Sequence, residues 1–267
     1  MTPIISTMRA RVRAVCRTWR IIFVLGSASL VGCRGNHSEA PPASPAAKVS
    51  SSTTGEAASV ADLPLIEVPT SGAGSTFAVM LTGDGGWAPA DRAISNALAA
   101  QGIPVAGLSS PRYLASARSP DALSRDLGRI LRHYITAWGR SRIVVIGYSR
   151  GADLAPFMVS RLPEDLRRRI TLVALLGPSQ WAGFEFHLVD LVTTMHREGD
   201  LPVAPEIERL RGTAVLCIYG RRDHDAICHL LDRTLARPIR RDGGHVIAGR
   251  EGAALADTIV HALGDAR

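Results

Sequence analysis

Beyond residue 62 the chain alternates between two textures. Short apolar runs, bounded by Gly, Pro or polar clusters, read as strands buried on both faces. Between them lie longer stretches whose apolar residues recur at helical spacing. The predicted strands are Leu63–Val68, Thr76–Thr82, Ile103–Leu108, Arg142–Ile146, Ile170–Leu176, Thr213–Tyr219 and a short one near Pro238–Arg240. The predicted helices are Ala88–Gln101, stopped by Gly102, one opened by Ser119, one from Gly151 to near Arg161, one around Cys228–Leu235, and Glu251–Leu263. The Ser119 helix is the best marked. Ser119 caps it, Pro120 takes the first helical position and Asp121 favours the helix dipole. Leu123, Leu127, Ile130, Leu131, Tyr134, Ile135 and Trp138 then form one apolar face. Such β/α alternation predicts an α/β fold: a mostly parallel central sheet with helices on both faces. The stretch from Pro178 to Pro205 fits the alternation poorly and reads as an insertion over the site. At 267 residues the chain suits one sizeable domain, assigned to 63–267.

The N-terminus has a different texture. Residues 1–32 carry Arg9, Arg11, Arg13, Arg17 and Arg20, no acid, and an apolar core from Ile21 to Val31. That core is shorter than the ~20 residues needed to span a bilayer, so it reads as an export signal. It ends in Leu30-Val31-Gly32-Cys33, which resembles a bacterial lipobox with Cys33 as the lipid-bearing residue. A plain secretory signal with an incidental Cys is the alternative. Residues 33–62 are rich in Ser, Ala, Pro, Thr and Gly and are expected to form a flexible linker, with a reach of roughly 30 Å. The expected location is therefore periplasmic, anchored to a membrane surface through Cys33.

Charge supports that division. The chain has 31 basic and 24 acidic residues, a formal charge of +7. The five arginines of residues 1–32 account for most of the excess, leaving 26 basic against 24 acidic residues. A nucleic-acid partner is therefore not expected. The cysteines divide similarly. Cys16 leaves with the signal and Cys33 takes lipid, so Cys217 and Cys228 remain as an even pair in an oxidising compartment. They form either a disulfide or two buried thiols.

The chemistry lies in the folded part. Gly147-Tyr148-Ser149-Arg150-Gly151 is a G-x-S-x-G turn between an apolar strand and a helix, the context in which Ser149 is a nucleophile. A serine hydroxyl needs a base, an orienting acid and donors for the developing oxyanion. His245, in Gly243-Gly244-His245, is the late loop His expected to act as base. The acid should follow Thr213–Tyr219, and Asp223 and Asp225 both qualify; general spacing favours Asp223. The backbone N–H of Arg150 and one from the turn Gly83-Asp84-Gly85-Gly86-Trp87, at Gly83 or Asp84, are the expected oxyanion donors.

These segments together resemble the VirJ/AcvB family of bacterial periplasmic virulence proteins, over roughly residues 63–265. The resemblance rests on Leu81–Trp87, Gly147–Asp153, Cys217–Gly220 with Cys228, and Gly243–His245. It implies an α/β-hydrolase fold and a serine hydrolase that cleaves the aminoacyl ester of lysyl-phosphatidylglycerol. It also implies possible envelope or type IV secretion partners, and near the second Cys its pattern favours Asp225 as the acid. A lysyl ester carries two ammonium groups, so Asp84 and Asp153 are nominated as substrate-binding residues, with Trp87 beside them; local backbone bonding is the alternative for both carboxylates. A general carboxylesterase and a non-catalytic envelope scaffold are the competing readings. No cofactor is expected, and the loop Asp223-His224-Asp225 is not read as a metal site.

Overall fold

The computed structural model describes residues 59–191 and 196–265. The export signal, Cys33 and most of the proposed linker lie outside the described residues. Contacts of the folded body reach back to Ser59, four residues before the expected boundary: Arg129 donates to the Ser59 carbonyl and pairs with Asp62.

In chain order the described elements are β1 (Leu65–Val68), β2 (Thr76–Leu81), α1 (Pro89–Ala100), β3 (Val105–Leu108), α2 (Ser110–Tyr113), α3 (Pro120–Trp138), β4 (Arg142–Tyr148), α4 (Arg150–Ser160) and α5 (Glu164–Arg167). There follow β5 (Ile170–Leu176), β6 (Trp181–Ala182), β7 (Leu201–Pro202), α6 (Ala204–Glu208), β8 (Val215–Gly220), β9 (Arg237–Arg241) and α7 (Gly252–Asp265). Seven strands form one sheet in the order β1-β3-β2-β4-β5-β8-β9. Only β1 runs antiparallel, pairing Leu65 with Leu108 and Val68 with Val105. Every other pairing is parallel.

The apolar runs explain the layering. Successive side chains of a strand face opposite sides, so a continuous run feeds two cores. Phe77, Val79 and Leu81 of β2, with Ile143 and Val145 of β4, face α3 and α4. Ala78 and Met80, with Val144 and Ile146, face α1 and α7. Helix α3 follows its sequence signals closely. The N–H of Ala122 donates to Ser119 Oγ at 3.2 Å, and Gly139 ends the helix at φ 62°. Tyr134 and Trp138 pack on Phe77, and Tyr134 Oη donates to Glu67 of β1 at 2.8 Å.

One expectation is corrected. Cys228–Leu235 is not a helix but a single 3-10 turn, Ile227–His229, followed by a loop. Cys228 is tied to Cys217 by a disulfide with Cα atoms 5.5 Å apart. Four residues on, the Asp232 carboxylate accepts the Thr234 N–H at 2.8 Å, giving the backbone a turn in place of a helical bond. The Pro178–Pro205 stretch, read as an insertion, has short elements of its own. It holds the hairpin β6–β7, with Trp181 opposite Pro202, and a 3-10 turn at Leu188–Leu191.

The disulfide closes a loop with a sequence separation of 11. Removing it with Cys217→Ser and Cys228→Ser is expected to cost about 3 kcal/mol, since the shortened unfolded ensemble regains its freedom. Urea unfolding of the double variant against the oxidised parent measures this as a lower midpoint.

Candidate active site

The central strand β4 delivers Ser149 into the turn that opens α4. Ser149 has φ 52° and ψ −120°, the one non-glycine residue at positive φ among the described residues. Such a conformation costs on the order of 1–3 kcal/mol and persists only where its surroundings impose it. The flanking glycines show how. A Cβ on Gly151 would stand 2.1 Å from the Leu81 carbonyl oxygen of β2, and one on Gly147 would stand 2.3 Å from the Gly151 carbonyl oxygen. Strand, turn and helix thus meet backbone to backbone, and the serine is pressed outward.

His245 lies on the loop after β9. Its Nε2 is 2.8 Å from Ser149 Oγ and its Nδ1 is 2.9 Å from Asp223 Oδ2. Asp223 follows β8 and its side chain is buried, whereas the His245 side chain is 42% exposed. The hydrogen-bonded chain is therefore anchored at Asp223 and open at His245. The His245 loop is braced by Arg241, whose guanidinium donates to the carbonyls of Gly244, His245 and Val246 and pairs with Glu251. The Ile247 N–H donates to Tyr148 Oη at 3.1 Å, joining the loop to the residue before Ser149.

Gly83 and Asp84 stand beside Ser149; a Cβ on Gly83 would lie 3.1 Å from the Ser149 Cβ. Among the described residues, the backbone N–H groups of Asp84 and Arg150 have no hydrogen-bond partner. The Arg150 side chain turns away from solvent. Its Nε donates to Asp84 Oδ1 at 3.0 Å and its Nη2 to Asp190 Oδ2 at 2.9 Å.

A cavity of about 420 Å³ opens over Ser149 and His245, walled by Asp153, Asp200, Asp225 and Trp181. Asp225, the alternative acid, faces this cavity rather than His245. Asp153 also lines it, and its Oδ1 accepts the Ser179 N–H at 2.6 Å. Burial pushes the Asp153 carboxyl up to about 7, outweighing the Ser179 N–H and the nearby Arg150 charge. Two nominations are corrected here. Trp87 does not reach the cavity: its ring fills the slot left by Gly107 on β3, where a Cβ would stand 2.3 Å from Trp87 Cζ3. The Asp84 carboxylate borders the cavity but is committed to Arg150. The sequence reading missed Arg241, Asp190 and Asp200: Arg241 and Asp200 bond backbone groups within five residues of themselves but form no recognised motif, whereas Asp190 gains Arg150 only through the fold.

A central parallel sheet, a strained serine at the exit of its middle strand, a His loop after its last strand and an Asp after the strand before it define the α/β-hydrolase fold. Solved structures share it at low identity. MenH from S. aureus aligns with a TM-score of 0.56 and 11% identity, covering 76% of this chain and 98% of that one. Proline iminopeptidase from Mycobacterium smegmatis gives 0.52 and 15%, covering 76% and 94%. The esterase domain of a Rhodothermus marinus protein gives 0.52 and 14%, covering 74% and 90%. No curated protein sequence matches the chain. Residues 75–267 match the family described as bacterial virulence protein (VirJ), and the chain belongs to that family.

Two outcomes are expected. Gly151→Ala should leave little or no soluble, folded protein, because the clash is with the Leu81 backbone of β2; expression and near-UV circular dichroism read this directly. The second concerns pH. Folding raises Asp153 from 3.8 to about 7. The stability this gives is present in full below about pH 4 and is lost as pH rises through about 7. Asp153→Asn, which keeps the acceptor for Ser179, should therefore match the parent at pH 4. At pH 8 it should melt higher, by at least about 1 kcal/mol or roughly 3 °C.

Proposed function

We propose that this protein is a serine hydrolase of the bacterial envelope that releases lysine from lysyl-phosphatidylglycerol. The observation that carries the reading is the hydrogen-bonded Ser149–His245–Asp223 chain opening into a cavity walled by carboxylates. In this reading the neutral His245 carries its proton on Nδ1, toward Asp223, and accepts the Ser149 hydroxyl proton at Nε2. Ser149 Oγ attacks the lysyl carbonyl carbon. The N–H groups of Asp84 and Arg150 receive the negative charge that develops on its oxygen. The imidazolium, stabilised by Asp223, returns the proton to the glycerol oxygen as the ester bond breaks and phosphatidylglycerol leaves. Water, deprotonated by His245, then attacks the lysyl-enzyme and releases lysine.

Two features favour this substrate over a neutral ester. Asp84 is neutralised by Arg150 and Asp153 is buried against the Ser179 N–H, but Asp200 and Asp225 still face the cavity, and a lysyl group brings two ammonium charges to meet them. The insertion also holds Leu188, Val189 and Leu191 at 79%, 44% and 56% exposure, which suits contact with a lipid surface. The disulfide and the N-terminal signal pattern suit an exported protein, with Cys33 as its lipid anchor.

The test is release of free lysine from lysyl-phosphatidylglycerol vesicles by the purified protein beside Ser149→Ala. Release by the parent alone supports the reading. A parent that is labelled at Ser149 by a fluorophosphonate yet releases no lysine keeps the hydrolase and discards the substrate. Asp225→Asn is expected to raise KM for the lysyl lipid by roughly tenfold, the loss of one charge-assisted contact, and to leave a neutral ester unaffected.

A further inference from the structure

The two residues whose N–H groups face the developing charge in the proposed mechanism, Asp84 and Arg150, are also bonded to each other through their side chains. Arg150 Nε and Nη2 stand 3.0 and 3.4 Å from the two Asp84 oxygens. The same guanidinium reaches the insertion, donating from Nη2 to Asp190 at 2.9 Å and from Nη1 to the Gly183 carbonyl at 3.3 Å. A guanidinium presents its five N–H donors in one rigid plane, so these acceptors fix one another's positions.

Asp190 closes the arrangement. Its side chain is 1% exposed, within the 3-10 turn Leu188–Leu191. It also accepts the His187 N–H at 3.0 Å and pairs with Arg197. Burial pushes this carboxyl up, yet Arg197, the His187 N–H and Arg150 outweigh it and hold it below the usual carboxylate range. Two carboxylates and two guanidiniums thus balance, with Asp190 and Arg150 buried and Asp84 and Arg197 partly exposed, and removing one buried charge leaves another uncompensated.

The oxyanion turn needs such a brace. Gly83-Asp84-Gly85-Gly86 is three-quarters glycine and has little conformational preference of its own. Its backbone is closed by one internal bond, from the Gly86 N–H to the Gly83 carbonyl at 3.0 Å. Oxyanion donors accelerate a reaction only when they are already placed before the charge appears.

We infer that Asp190 is a positioning residue for the acyl step: acting through Arg150, it fixes the Asp84 N–H beside Ser149, so that the insertion governs rate rather than affinity. This rests on the serine-hydrolase reading. The test is the rate of Ser149 phosphonylation by a fluorophosphonate. There Ser149 Oγ bonds to phosphorus, fluoride leaves, and His245 takes the hydroxyl proton while the phosphoryl oxygen occupies the oxyanion site.

In Asp190→Asn the limiting rate, kinact, is expected to fall ten- to hundredfold, the range for displaced donors. KI should stay within about twofold. The charge-balanced pair Asp190→Asn with Arg197→Gln should lose kinact likewise while sparing the fold from an unpaired charge. A folded variant with parental kinact, or with a change confined to KI, overturns the positioning role. So does unfolding of both variants, which makes Asp190 a structural residue. A parent that is never labelled sinks the hydrolase reading itself, a distinct result from a labelled parent whose variants react at the same rate.

Discussion

The site depends on one steric fact: the backbone of α4 touches the backbone of β2. With no side chain on Gly151, its Cα lies against the Leu81 carbonyl, and Ser149 two residues before it sits at positive φ. The strain is sustained by two apolar cores, one on each side of the sheet. Energy stored in one residue is thus balanced by burial spread over dozens. That arrangement gives a serine which neither turns back into the helix nor relaxes into a strand, and so stays where an imidazole can meet it.

The periodic parts of the fold were legible in the chain because their signals are local. Continuous apolar runs announced strands buried on both faces, and the Ser119-Pro120 start announced α3. The elbow was legible for the same reason: a glycine on either side of a serine, after an apolar strand, has a steric meaning that needs no distant partner. His245 was legible from its glycines and its lateness in the chain. The choice between Asp223 and Asp225 was not, since both sit on one polar loop and only the packing of β8 against β9 turns the first toward His245.

Other features lay beyond reach for a shared reason. Arg150 read as the variable residue of a motif, valued for its backbone; its side chain gains meaning only when the insertion brings Asp190 within 2.9 Å. Trp87 read as a neighbour of the site because it follows the glycine turn, yet a missing side chain at Gly107 offers its ring a better berth. The segment after Cys228 had helical composition, but a covalent bond at its start and an aspartate turn at Asp232 override propensity. In each case a contact between residues distant in sequence, or a side chain competing with the backbone, decides against the local signal.

The Cys217–Cys228 bond has a bearing on the site beyond its contribution to folding. Asp223 sits inside the span that the disulfide closes, so the acid rides on a covalent ring rather than on an open loop. One side of that ring is the buried strand β8, itself the sixth rail of the sheet. An open loop frays from either end and carries its residues away one at a time. A ring anchored to a sheet has no free end, and to withdraw the acid from the imidazole it must move as a single piece. The chain thus fastens a buried carboxylate by topology, and the exposed imidazole meets a fixed post.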